Sequence, residues 1–168
     1  MLCQRGRRQM LFLRLSGSAL LLVSAVFGAR YLNKKAEGVI LELDGFFRLI
    51  RQIRLEVESF SLPISKILVR IDRALLADCG YIEDTPPSSL EDLSSKIKFK
   101  GEKGRELFLG FCSDFGNSYR DEEIRKLTYY ETLLRDERER LAKELPAKKK
   151  INATLAVSAA LGIVILMI

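Results

Sequence analysis

The side chains from which catalytic and metal sites are usually built are thinly represented in this sequence. Among 168 residues there is no histidine. That removes Ser-His-Asp and Cys-His nucleophilic catalysis, and every histidine-containing zinc site, together. The three cysteines, Cys3, Cys79 and Cys112, form no CxxC and match no metal-ligand spacing. They read as reduced thiols of a cytosolic domain. Carboxylates gather at Asp121-Glu122-Glu123, but Ser118 stands just before them as a helix cap, and a first helical turn favours anions. A solvated helix start explains the cluster better than an acid–base pair or a metal site. Gly101-Glu102-Lys103-Gly104 lacks the spacing of a phosphate-binding loop. Asn152-Ala153-Thr154 matches a glycosylation sequon only by chance, at the edge of an apolar run. These residues imply no catalytic residue, no cofactor-binding residue, no cofactor and no metal ligand, so the chain is not expected to be an enzyme.

The charges are more informative by position than by number. All 22 acidic residues lie between Glu37 and Glu144, and residues 36–146 hold 18 Lys and Arg against them. The net +6 of the whole chain therefore comes from its two ends: Arg5, Arg7, Arg8 and Arg14; then Arg30, Lys34 and Lys35; then Lys148 to Lys150. A pI near 9.3 could suggest nucleic acid, but this surplus sits where phospholipid headgroups would be, and no nucleic-acid partner is expected. A further basic run, Lys96, Lys98, Lys100, Lys103 and Arg105, reads as a solvated face, with contact to a partner or to anionic lipid as the alternative.

The elements that position these charges begin with two apolar stretches. Residues 151–168 carry no charge and, as a helix of about 27 Å, are long enough to cross a bilayer core of about 30 Å with slight thinning. The lysine triplet before them marks the cytoplasmic side. Residues 11–29 mirror them, with Arg14 alone near the start, where it can snorkel to the headgroups. The poor cleavage site at Val26-Phe27-Gly28 and the length of the run argue against a signal peptide. The expected organisation is a short basic tail over residues 1–10, a transmembrane helix over 11–29, a cytoplasmic helical-bundle domain over 30–150 and a second transmembrane helix over 151–168. Small residues four apart (Ser24 and Gly28, Ala25 and Ala29, Ala156 and Ala160, Ser158 and Gly162) predict that the two spans pack together.

Between the spans every pattern is helical. Val39, Ile40, Leu43, Phe46, Phe47, Ile50, Ile53 and Val57 recur in steps of three and four, with Glu42, Asp44, Arg48, Arg51 and Arg54 on the other positions. No proline separates this helix from the first span, so the two can form one rod with a flexible point at Gly38. Ser61-Leu62-Pro63 ends it and opens a helix through Ile64, Ile67, Leu68, Ile71 and Leu75 that stops near Asp78-Cys79-Gly80. After a loop over residues 81–87, Ser88-Ser89-Leu90-Glu91 predicts a capping box, with Ser88 as the cap and Glu91 three later. A short helix through Leu90, Leu93 and Ile97 follows, then one over residues 104–115 closed by Gly116. The last helix, capped by Ser118, has the stripe Ile124, Leu127, Tyr130, Leu134, Leu141 and Leu145. Glu131 and Arg138 interrupt that stripe as a coiled-coil seam, which favours an intramolecular bundle. The fold class is all-α.

In its order of features the sequence resembles the stage III sporulation protein AB family of endospore-forming bacteria. The matching residues are Met10-Leu11 leading into a span, Arg30-Tyr31 after it, Glu56-Val57 and Pro63-Ile64 between the first two cytoplasmic helices, and the joint Phe115-Gly116-Asn117-Ser118. The closing basic cluster with Ile165-Leu166-Met167-Ile168 completes the set. Tyr119, Phe60 and the 81–87 loop depart from the family pattern. The resemblance implies a mother-cell membrane protein of the channel between mother cell and forespore, with a cytoplasmic domain like the F-type platform domain of secretion and pilus machines. The implied partners are a secretion-type ATPase of the stage III sporulation protein AA kind, other membrane components of that channel, and the lipid bilayer. The chain itself would anchor and couple the ATPase. A generic membrane-anchored scaffold of cell division or envelope assembly is the alternative. Because relatives begin near their first span, and Arg5, Arg7 and Arg8 oppose the orientation set by Lys148 to Lys150, translation is expected to start at Met10.

Overall fold

The computed structural model describes residues 2–60, 62–116 and 118–167, and among these the side chains of all but 2–16, 18, 19, 21, 22, 164, 166 and 167. Six helices follow one another: α1 (Leu2–Phe60), α2 (Ile64–Arg70), α3 (Arg73–Asp78), α4 (Leu90–Ser95), α5 (Glu102–Asp114) and α6 (Arg120–Met167). The described residues contain no strand; the nearest approach is an isolated antiparallel bridge between Tyr81 and Ile97. The all-α expectation holds. Two compact units share these helices: Met1–Ala36 with Glu144–Ile168, and Glu37–Lys143.

In the unit Glu37–Lys143, the predicted stripe of α1 is the core. Leu43, Phe46, Ile50 and Ile53 are fully buried, with Ile67, Leu68, Leu93, Phe108, Phe111, Leu127 and Leu134 from the other helices. Phe46 stacks on Phe108 with centroids 4.4 Å apart, and Phe108, Phe111 and Tyr130 continue the aromatic contacts to α6. Each such pair adds about 0.5–1.5 kcal/mol beyond its buried area. α1 and α6 run antiparallel here: Asp44 meets Arg138 at 2.9 Å, Arg54 meets Glu131 at 2.8 Å, and the Arg120 guanidinium donates to the Glu58 carbonyl. Glu131 and Arg138 thus break the apolar stripe because each has an opposite charge waiting on α1. Gly45 is buried where α1 meets α3; a Cβ there would lie 3.0 Å from the Asp78 carbonyl carbon and 3.1 Å from the Cys79 nitrogen.

Several boundaries differ from expectation. The helix expected over residues 64–78 is two helices, because Ile71 is extended and buried and the Asp72 carboxylate accepts the Ala74 N–H, capping α3. Local capping by aspartate competes with helix continuation. Pro63 is the residue before α2 rather than part of its first turn. The box at α4 is shifted by one residue: Ser89 is the cap, accepting the Asp92 N–H at 3.1 Å, while Asp92 accepts from the Ser88 N–H. Ile97 falls beyond α4, in the bridge. Tyr119, not Ser118, precedes α6; its carbonyl takes the N–H groups of Glu122 and Glu123. Gly116, at φ 104°, closes α5 as predicted. Ser61 and Asn117 lie outside the described residues, and the side chain of Cys3 lies outside the described side chains.

In the unit Met1–Ala36 with Glu144–Ile168, Asn152 Nδ2 donates to Asn33 Oδ1 at 3.0 Å. Ala160 is buried, and Ala25, Ala29 and Ala156 are half-buried. Gly28 and Gly162 face open space, and the exposed Ser24 hydroxyl donates to its own helix at the Leu20 carbonyl. Of the four small pairs, the two alanine pairs therefore lie on the covered side and Gly28 and Gly162 do not. Among the described residues, no helix is long and apolar enough to cross a membrane. The expected spans over 11–29 and 151–168 fall partly outside the described side chains, as do the side chains of Arg5, Arg7, Arg8 and Arg14.

Candidate partner surface

The residue types that could do chemistry are dispersed. Cys79 is buried and Cys112 half-buried, and neither is in a disulfide. Burial raises both thiols, Cys112 to about 12, so neither is a thiolate nucleophile near neutrality. Tyr130 donates its phenol to the Asp114 carboxylate, and burial followed by that carboxylate holds its pKa well above the ordinary value. Among the described residues, no group of three or more His, Cys, Asp or Glu could hold a metal ion. Gly101 precedes α5 and Glu102 begins it, so the Gly101 to Gly104 stretch is a helix start.

Two carboxylates expected in water are instead buried. Glu42, on α1, is fully covered; its Oε1 accepts the Lys100 N–H at 2.7 Å and its Oε2 the Gly101 N–H at 3.0 Å. It thereby caps the start of α5 from another helix. Burial raises its pKa above the ordinary carboxylate value, partly offset by those two backbone donors and by Lys100. Glu123, placed with the solvated start of α6, accepts the Gly116 N–H at 3.1 Å and the Ser118 N–H at 2.8 Å. It closes the α5–α6 joint over its own helix. Asp121 and Glu122 are exposed as expected. The signal for Glu42 was its position one residue from Leu43 and three from Val39, on the border of the apolar stripe. Glu123 stands beside Ile124 in the same way.

Two joints singled out in the sequence come together at one end of the unit Glu37–Lys143. Val57, Leu62, Pro63 and Ile64 line one side of a groove of about 400 Å³, and Phe115, Gly116, Ser118, Arg120 and Glu123 the other. Phe60 and Tyr119, neighbours of these residues in sequence, are 65% and 90% exposed. The groove lies where α1 stops and α6 begins. α1 joins the unit, and α6 leaves it, at the opposite end, since the two helices are antiparallel; residues 37–60 of α1 alone are about 36 Å long. The groove is apolar at its walls, with the Glu123 carboxylate already engaged. That arrangement suits a protein surface better than a small polar substrate.

The basic run divides. Lys96 is taken up by Glu83 at 2.9 Å and Asp92 at 2.8 Å, and these partners raise its pKa while Lys96 and Ser88 lower that of Asp92. Lys103 pairs with Glu106 at 2.9 Å. Lys98, Lys100 and Arg105 are exposed.

A family model described as stage III sporulation protein AB matches residues 82–168, just over half the chain. The match takes in α4, α5, the joint to α6 and all of α6, and leaves out α1 and Pro63-Ile64, so it is narrower than the resemblance in the sequence. No curated protein and no solved structure matches the chain. With residues 82–168 matched, the chain belongs to the stage III sporulation protein AB family.

Proposed function

We propose that this chain is a two-span protein of the mother-cell membrane that anchors a secretion-type ATPase and couples it to the other membrane components of the mother cell–forespore channel. Family membership carries the sporulation role. The membrane reading rests on the sequence: two apolar stretches at 11–29 and 151–168, with Arg30, Lys34, Lys35 and Lys148 to Lys150 on the sides that face the central residues. The central domain is then cytoplasmic, and the family resemblance implies that it is like the F-type platform domain of secretion machines. The chain is a coupler and not an enzyme; the absence of histidine supports this.

The observation that carries the reading is the end groove. A docking surface for a motor should stand away from the tethers, and the groove with exposed Phe60 and Tyr119 is at the end of the unit opposite the ends of α1 and α6 that lead to the spans. Phe60 and Tyr119 are neighbours in sequence of the lining residues, and large exposed aromatics become anchors of an interface once a partner covers them. Affinity purification of the tagged chain from detergent-solubilised membranes of sporulating cells tests the reading. A nucleotide-hydrolysing protein should co-purify, and Tyr119→Asp with Phe60→Asp should remove it while leaving the chain in the membrane fraction. Retention of the same partner by the double variant refutes the groove. Co-purification of cell-division proteins instead, from vegetative cells, favours the generic scaffold.

A further inference from the structure

Lys98, Lys100, Lys103 and Arg105 play no part in the groove. All four are exposed on the segment that leads into α5 and its first turn. Lys103 is matched by Glu106, and no ion pair engages Lys98 or Arg105 among the described residues. Lys100 lowers the pKa of Glu42, which is buried. The segment is pinned in place. Glu42 takes the N–H groups of both Lys100 and Gly101, Val39 Cγ1 lies 2.7 Å from where a Cβ of Gly101 would be, and Lys100 Cδ lies 3.6 Å from where a Cβ of Gly38 would be. The exposed cations therefore belong to the end of the unit Glu37–Lys143 where α1 joins it.

Covalent reach then limits how far they can stand from the bilayer. Gly38 is nine residues beyond Ala29, where the first span is expected to end, and nine residues reach at most about 32 Å even fully extended. We infer that the segment holding Lys98, Lys100 and Arg105 rests on anionic phospholipid headgroups, with the Glu42 clamp keeping its cations turned to the membrane. This rests on the membrane reading of residues 11–29 and 151–168 given above. Charge complementarity selects the occupant. A leaflet rich in anionic lipid attracts clustered Lys and Arg over about one Debye length, 8–10 Å, whereas the unit as a whole is acidic, so its net charge does not draw it to an anionic surface and the local cluster must.

The test is lysine acylation of the full chain, read by mass spectrometry, in nanodiscs of phosphatidylcholine alone and of phosphatidylcholine mixed with phosphatidylglycerol. Lys98 and Lys100 should be acylated about threefold more slowly in the anionic discs, the suppression that a surface potential near −30 mV imposes on a cationic amine. Lys66, on α2, should not change, and the difference should vanish near 1 M salt, where the Debye length is about 3 Å. Equal rates in both discs overturn the inference while leaving the membrane reading intact. Protection that appears only when a protein partner is added also overturns it, in favour of a protein surface. A chain that fails to remain in either disc overturns the membrane reading and this inference with it.

Discussion

Removing the Glu42 carboxylate is the most direct perturbation of how the unit Glu37–Lys143 is held together. In Glu42→Ala, two backbone donors, Lys100 N–H and Gly101 N–H, lose acceptors at 2.7 and 3.0 Å beside a side chain that is itself fully covered. Each buried donor left unpaired costs about 1–3 kcal/mol, and relief from burying a carboxylate returns part of that. A net loss of about 2–4 kcal/mol is expected, which with a urea m-value of about 1–2 kcal/mol/M for a unit of this size moves the midpoint down by about 1–4 M. The assay is urea unfolding of a fragment spanning residues 37–143, followed by far-ultraviolet circular dichroism. Glu42→Gln adds a pH test. Because burial raises the folded pKa of Glu42 above its ordinary value of 4.5, the folded state holds the proton more tightly than the unfolded state. Its contribution is complete below about pH 4.5 and is lost as pH rises through the folded value. The advantage of the native residue over glutamine should therefore shrink from pH 4 to pH 7. A variant as stable as the native chain refutes the clamp; an advantage that grows with pH means instead that the two N–H donors outweigh the burial of the carboxylate.

Other consequences can be checked on the same fragment or on the full chain. Leu127→Asp puts an unpaired charge into the core beside Tyr130 and should cost several kcal/mol, leaving little or no cooperative unfolding; an unchanged midpoint means that this face of α6 is not core. Gly45→Ala should destabilise by about 1–3 kcal/mol although alanine is the better helix former by about 1 kcal/mol, because the new methyl meets the backbone of Asp78 and Cys79; a more stable variant removes the close approach of α1 to α3. In the full chain, a disulfide should form between Ala25→Cys or Ala29→Cys and Ala156→Cys or Ala160→Cys, and not between Gly28→Cys and Gly162→Cys; the reverse pattern means that the glycines face the partner helix.

What the sequence made legible was what periodicity encodes. The stripe from Leu43 to Ile53 and that from Leu127 to Leu134 are core because spacing of three and four leaves an apolar face no other place to go. What it hid depends on contacts between distant residues. Glu42 and Glu123 read as solvated because carboxylates usually are; only a loop 58 residues away for one, and a turn folded back seven residues for the other, supplies the donors that permit burial. Glu131 and Arg138 look like faults in a seam until Arg54 and Asp44 are brought opposite them. Asp72 splits one expected helix because its side chain competes locally with the next turn, an effect that the apolar pattern through Ile71 and Leu75 conceals. The candidate surface was half legible. Pro63-Ile64 and Phe115-Gly116 could be singled out as joints, but their convergence on one groove is a property of the antiparallel pairing of α1 and α6.

The central claim is that this chain holds a motor protein at its outer joint. A photo-crosslinking aromatic residue in place of Tyr119, introduced into the full-length protein in sporulating cells, tests it at a position that is 90% exposed. Irradiation should join the chain to a secretion-type ATPase identified by mass spectrometry, and the same residue in place of Ile82, exposed on the 81–87 loop, should not. Crosslinks from position 119 to other proteins only, or ATPase crosslinks from position 82 and not from 119, would contradict the account.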